Sequence, residues 1–107
     1  MYVILTSKPG QFRTEPSEDL RPIEVYDYLF YGSRKARFSI AELVRDTRVT
    51  IVDEPECGIV NRVPSKFLEK FDTVERARRE LEHLTSFGGM DARLVRLDPA
   101  RADAVAV

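Results

Sequence analysis

Few residues of this chain are equipped for chemistry. It holds one cysteine, Cys57, and one histidine, His83. A [2Fe–2S] ferredoxin needs four cysteines, and a Rieske centre needs two cysteines and two histidines. A structural zinc site also needs more ligands than these two. Composition therefore predicts no cofactor and no metal. Cys57 sits among Asp53, Glu54 and Glu56. Carboxylates oppose the thiolate that a nucleophile requires. A Cys57–His83 pair would also need an oxyanion site, which no motif supplies. Asp53, Glu54 and Glu56 do not follow a calcium-loop pattern, so they read as a solvated acidic turn. His83, late in a helix, reads as a charge facing the negative end of the dipole.

One constellation suggests binding. Tyr26, Tyr28 and Phe30 alternate along one strand face, Tyr31 follows, and Arg34, Lys35 and Arg37 lie just past the turn. Aromatics beside cations on a sheet can stack and hold single-stranded nucleic acid. The plainer expectation is an interaction surface of seven residues, with aromatics at a core or interface and cations keeping the outer face soluble. Charge favours the second. Residues 1–53 carry eight basic and eight acidic side chains, and residues 54–107 carry nine and ten. Neither half has the cationic excess of a phosphate-backbone binder. Arg76, Arg78 and Arg79 alternate with glutamates and read as a solvated helix face. Gly88-Gly89 precedes a strand, so it reads as a helix stop, not a phosphate loop.

The elements that position these residues follow from pattern. Tyr2–Ser7 is apolar and rich in β-branched residues, a strand covered on both faces. Residues 8–22 hold Pro9, Pro16 and Pro22 and read as a long loop. Strands are expected at Ile23–Tyr31 and Arg34–Val44, joined through Gly32-Ser33 in a type II′ turn. In the second of these Ala36, Phe38 and Ile40 share one face, opposite Lys35, Arg37 and Ser39. Arg48–Asp53 follows a short turn and completes a meander. Ile59–Val63 is a short strand ended by Pro64, and Ser65–Lys70 fits either a helical turn or an extended segment. Val74, Ala77, Leu81 and Leu84 recur at spacings of three and four, which predicts one helix over about 73–86. Asp72 with Glu75 fits its N-terminal capping box. Ala92–Leu97 is the last strand.

With 107 residues, 43% of them apolar and 33% charged, the chain suits one domain that buries about 65% of its unfolded surface. Residues 1–98 form that domain and 99–107 a frayed tail. No apolar run approaches a membrane span. The opening residues lack the basic region of a signal peptide. A lone thiol fits the cytoplasm.

The segment Val63-Pro64-Ser65-Lys66-Phe67-Leu68-Glu69-Lys70-Phe71-Asp72, running on to Leu84, and the opening Met1-Tyr2-Val3-Ile4-Leu5-Thr6-Ser7-Lys8-Pro9-Gly10 resemble small bacterial accessory proteins of aromatic-ring-hydroxylating oxygenase systems. Some of these carry a ferredoxin label, which the cysteine count rules out here. The resemblance covers about a third of the chain, carries no functional motif, and implies a bacterial protein working beside an oxygenase or its reductase.

The fold expected is thus α+β. It is a curled antiparallel sheet of five or six strands containing a meander, with closure into a small barrel as the alternative, and one helix in the C-terminal half. The function expected is a non-catalytic interaction or accessory module that forms a homo-oligomer or takes a protein partner. Single-stranded nucleic-acid binding, or an enzyme site assembled at a dimer interface, are the alternatives.

Overall fold

The computed structural model describes residues 1–54, 59–85 and 92–98. The strands are β1 (Tyr2–Ser7), β2 (Phe12–Glu15), β3 (Leu20–Phe30), β4 (Ser33–Leu43), β5 (Arg48–Asp53), β6 (Val60–Pro64) and β7 (Ala92–Leu97). A 3-10 turn (Ser65–Phe67) and helix α1 (Val74–Thr85) stand between β6 and β7. Among the described residues the class is α+β, as expected. No helix there is long and apolar enough to cross a membrane.

The sheet arrangement corrects the expectation. Among the described residues seven strands form two open antiparallel sheets, ordered β1-β4-β3-β7 and β2-β5-β6. They are neither a single curled sheet nor a closed barrel. The meander fails because β4 has no free flank. β3 lies on one side of it and β1 on the other, paired from Tyr2 with Glu42 to Ser7 with Arg37. After Leu43 the chain therefore leaves the first sheet, and β5 opens the second.

The supposed loop at 8–22 holds two pieces of strand. Lys8 and Phe12 exchange backbone hydrogen bonds of 2.9 and 3.0 Å around a tight turn, which launches β2. The Thr14 N–H donates to Ser7 Oγ at 2.9 Å and its hydroxyl to the Thr6 carbonyl at 2.5 Å, tying β2 to β1. β3 starts three residues before Ile23, at Leu20. Its Pro22, which cannot donate to a ladder, is followed at once by a bulge: Pro22 faces Ala41, yet Glu24 faces Ile40.

The β3–β4 turn also differs. Phe30 pairs with Ser33, so the loop is Tyr31-Gly32. Their φ values are 50° and 78°. Positive φ at both positions marks a type I′ turn, one residue earlier than the type II′ turn expected.

Strand alternation puts two cores on the two faces of the first sheet. Val3, Leu5, Ala41 and Leu43 face the second sheet and pack with Leu20 and Val49. Tyr2, Ile4, Phe38 and Ile40 face the helix and pack with Tyr26, Ala77 and Leu81. β1 thus has cover on both faces, as its composition implies. Tyr2 and Phe71 exchange backbone hydrogen bonds of 2.8 Å each, which anchors the segment entering α1 against β1.

α1 begins one residue later than its capping box implies. The Arg76 N–H donates to Thr73 Oγ1 at 3.1 Å, so Thr73 is the N-cap. Asp72 instead pairs with Arg76 at 3.5 Å. The buried face also shifts. Ala77, Leu81 and Thr85 are buried, but Leu84 is 55% exposed. Gly88-Gly89 and the tail at 99–107 lie outside the described residues.

Candidate functional site

The bulge at Ile23 decides where Glu24 goes. Leu20, opposite Leu43, belongs to the core against the second sheet. One extra residue reverses the alternation, so Glu24 and Tyr26 emerge on the helix face. Glu24 is 2% exposed there.

A buried carboxylate is tolerated only when it is paired and hydrogen-bonded. Arg78 supplies the pairing from α1. Its Nε donates to Oε1 at 3.0 Å and its Nη2 to Oε2 at 2.7 Å, a two-bond fork. The Tyr26 hydroxyl donates to Oε1 at 3.0 Å. Arg96 of β7, directly across the ladder from Tyr26, brings its Nη2 within 3.6 Å of Oε2. Among the described residues, every fully enclosed side-chain polar atom has a hydrogen-bond partner.

The electrostatics follow from these contacts. The Arg78 hydrogen bonds hold the Glu24 carboxyl below the ordinary carboxylate range; burial opposes this, and the Tyr26 hydroxyl reinforces it. Burial, then donation to the Glu24 carboxylate, pushes the Tyr26 phenol upward. Arg78, bonded to Glu24, moves further above its ordinary value. At neutral pH the three groups are thus anion, neutral phenol and cation.

Beside this cluster lies a cleft of about 340 Å³ between α1 and the β3–β7 edge. Tyr26, Arg78, Leu81, Glu82, Thr85 and Leu94 line it, with Ala92 and Arg93 at one end. The Thr85 hydroxyl is already committed to the Leu81 carbonyl at 2.8 Å.

The hairpin residues do not form one surface. Tyr26 is 8% exposed beneath α1. Tyr28 is half-buried, its ring 6.3 Å from that of Phe38. Arg37 is only 11% exposed and donates from Nε to Asp27 Oδ1 at 2.9 Å. Arg34 approaches the same carboxylate at 4.0 Å. Asp27, Arg34 and Arg37 occupy the face opposite Tyr26 and Tyr28, so aromatics and cations part across the sheet. Only the tip keeps both kinds exposed. Tyr31 is 63% exposed and meets Phe30 edge-on with ring centroids 4.7 Å apart. Lys35 is unpaired in a second bulge, between Tyr28 opposite Ala36 and Leu29 opposite Arg34.

His83 is exposed in the last turn of α1. Asp53 closes β5 and Glu54 follows it, whereas Glu56 and Cys57 lie outside the described residues. Among the described residues no three His, Cys, Asp or Glu side chains gather as a metal site would require.

The helix-face reading of the arginines is corrected at Arg78. With 3.6 residues per turn, Arg78 falls about 40° from Val74, about 20° past Thr85 at one edge of the buried stripe. Leu84 falls about 80° to the other side, about 20° past Ala77 at the opposite edge. The cationic member of an apolar stripe, and a glutamate two residues before Tyr26 on an aromatic face, were the available signals for this pair.

Comparison with protein-family models, curated proteins and solved structures returned no match.

Proposed function

We propose that this protein is a non-catalytic interaction module that works by binding another protein chain. One observation carries the reading. Among the described residues the most highly charged buried cluster, Glu24–Arg78–Tyr26, is hydrogen-bonded internally, and each member is driven further into its neutral-pH protonation state. A general acid or base needs a group poised near the working pH. Here the surroundings move the carboxylate, the phenol and the guanidinium away from it. The cluster pins α1 to the sheet and offers no group poised for proton transfer.

The surface offered is the β3–β4 hairpin tip. Tyr31 stands 63% exposed on a backbone with φ of 50°, a conformation unfavourable to a bulky side chain. Arg34 and Lys35 flank it. An exposed aromatic beside cations suits an interface anchor. The partner is a second copy or a protein of the oxygenase kind that the sequence resembles, met in the cytoplasm. Sedimentation equilibrium over about a hundredfold concentration range tests self-association. Association that weakens about tenfold in Tyr31→Asn supports a homodimer through the tip. A monomer at every concentration removes the second copy and leaves a different protein as the partner.

A further inference from the structure

We propose that the cleft between α1 and β7 binds a small organic monocarboxylate, its carboxylate on Arg78 and Arg96 and its apolar body on Tyr26, Leu81 and Leu94. This site is separate from the hairpin tip and does not depend on the reading given above.

The geometry begins with how Arg78 is held. Glu24 takes the Nε and Nη2 edge of the guanidinium. A guanidinium has five N–H donors in a rigid fork, so the Nη1 edge remains. Both hydrogen bonds that Arg78 gives to Glu24 leave from Nε and Nη2. The Arg78 side chain is 39% exposed and lines the cleft. A flexible surface arginine must lose its side-chain freedom when it binds an anion. This one has already lost it to Glu24, so its Nη1 edge is pre-organised.

Charge points to the ligand's sign. Two guanidiniums, Arg78 and Arg96, crowd one carboxylate, Glu24. One positive charge is left over beside the cleft. Arg96 is 63% exposed and stands beside the cleft, outside its lining, so it reaches an anion there by a swing of its side chain away from Glu24. Glu82 and Arg93 also line the cleft, one charge of each sign. The floor beyond Arg78 is apolar, which disfavours a second carboxylate there.

The remaining lining sets the body of the ligand. Leu81 is fully buried and Tyr26 nearly so, and Leu94 packs on the same core. They form an apolar floor next to the cationic end. The volume, about 340 Å³, lies at the small end of the range for ligand sites, which suits a molecule of one ring or a short chain.

Amide NMR titrations with benzoate, hexanoate, benzamide and succinate test the site. Benzoate or hexanoate is expected to give saturating shifts in residues 74–85 and 92–97. Benzamide, which keeps the ring but lacks the charge, is expected to bind about tenfold more weakly, and succinate likewise. Arg96→Gln changes an exposed residue and is expected to weaken benzoate about threefold to tenfold with the remaining spectrum unchanged. The double variant Glu24→Met with Arg78→Met removes the anchoring guanidinium without leaving a lone buried charge, and is expected to abolish the shifts. Shifts that never saturate, equal affinity for benzamide, or benzoate binding unchanged in Arg96→Gln and in the double variant would each overturn the proposal.

Discussion

Arg78 Nη2 lies 2.7 Å from Glu24 Oε2, joining two residues 54 positions apart in the chain. This pair links α1 to β3 beside the apolar cluster of Ile40, Ala77 and Leu81. Its worth depends on both partners being present. Glu24→Gln keeps the shape but removes the charge that Arg78 needs, and is expected to cost about 2 kcal/mol, less than a fully buried pair because Arg78 is partly exposed. The double variant with methionine at both positions is expected to recover most of that loss, because a matched apolar pair has no charge to desolvate. Urea denaturation of the single and double variants measures the coupling.

The same pair sets a dependence on pH. The Glu24 carboxyl is depressed in the folded state, chiefly by Arg78. Its contribution to stability is therefore complete above the ordinary carboxylate range and is lost as pH falls through the lower folded-state value. Tyr26 has the opposite sign. Its phenol is raised in the folded state, so its contribution is full below the ordinary phenol range and is lost as pH rises through the higher value. Thermal midpoints from acid to alkaline pH should fall at both ends. Glu24→Gln should remove the acid-side contribution of this residue, and Tyr26→Phe the alkaline one.

Helix burial gives a sharper contrast between two leucines three residues apart. Leu81 is fully buried under the sheet and Leu84 is 55% exposed. Leu81→Ala is expected to cost about 3 kcal/mol, from lost transfer energy and the cavity left behind. Leu84→Lys is expected to stay within about 0.5 kcal/mol of wild type. Equal losses in thermal unfolding would place the helix in a different rotation.

At the start of α1, Thr73→Ala is expected to cost about 1 kcal/mol, because the Arg76 N–H loses its acceptor. Asp72→Ala breaks only an exposed ion pair, with side chains 64% and 65% exposed, and is expected to leave the unfolding midpoint nearly unchanged.

Tyr31 should separate stability from binding. Its φ of 50° suits asparagine or glycine better than a bulky aromatic residue. Tyr31→Asn is expected to raise stability by about 0.5–1 kcal/mol while weakening the association. A variant that is both less stable and equally associated would show the tyrosine to be a structural part of the turn.

The sequence by itself determined the local elements. β1, β5 and β7 run from Tyr2, Arg48 and Ala92 to the residues expected, because β-branched runs and alternation are written residue by residue. The single helix was legible for the same reason, in the spacing of Val74, Ala77 and Leu81. Cover on both faces of β1 was legible because no residue there is charged.

Tertiary structure decided the rest, since each remaining feature depends on atoms distant in the chain. β5 leaves the meander because β1, from the other end of the sequence, already occupies the flank of β4. β2 was hidden in a proline-rich stretch, where local turn signals mask a short strand made stable by pairing with β5. The hairpin aromatics and cations looked like one surface, yet strand alternation and the Asp27–Arg37 pair send them to opposite faces. Glu24 faces the helix only because a bulge at Ile23 shifts the register by one residue. A sequence read strand by strand contains Glu24 and Arg78 as two ordinary surface charges. Only the packing of α1 on β3 removes water from between them and turns them into a buried pair.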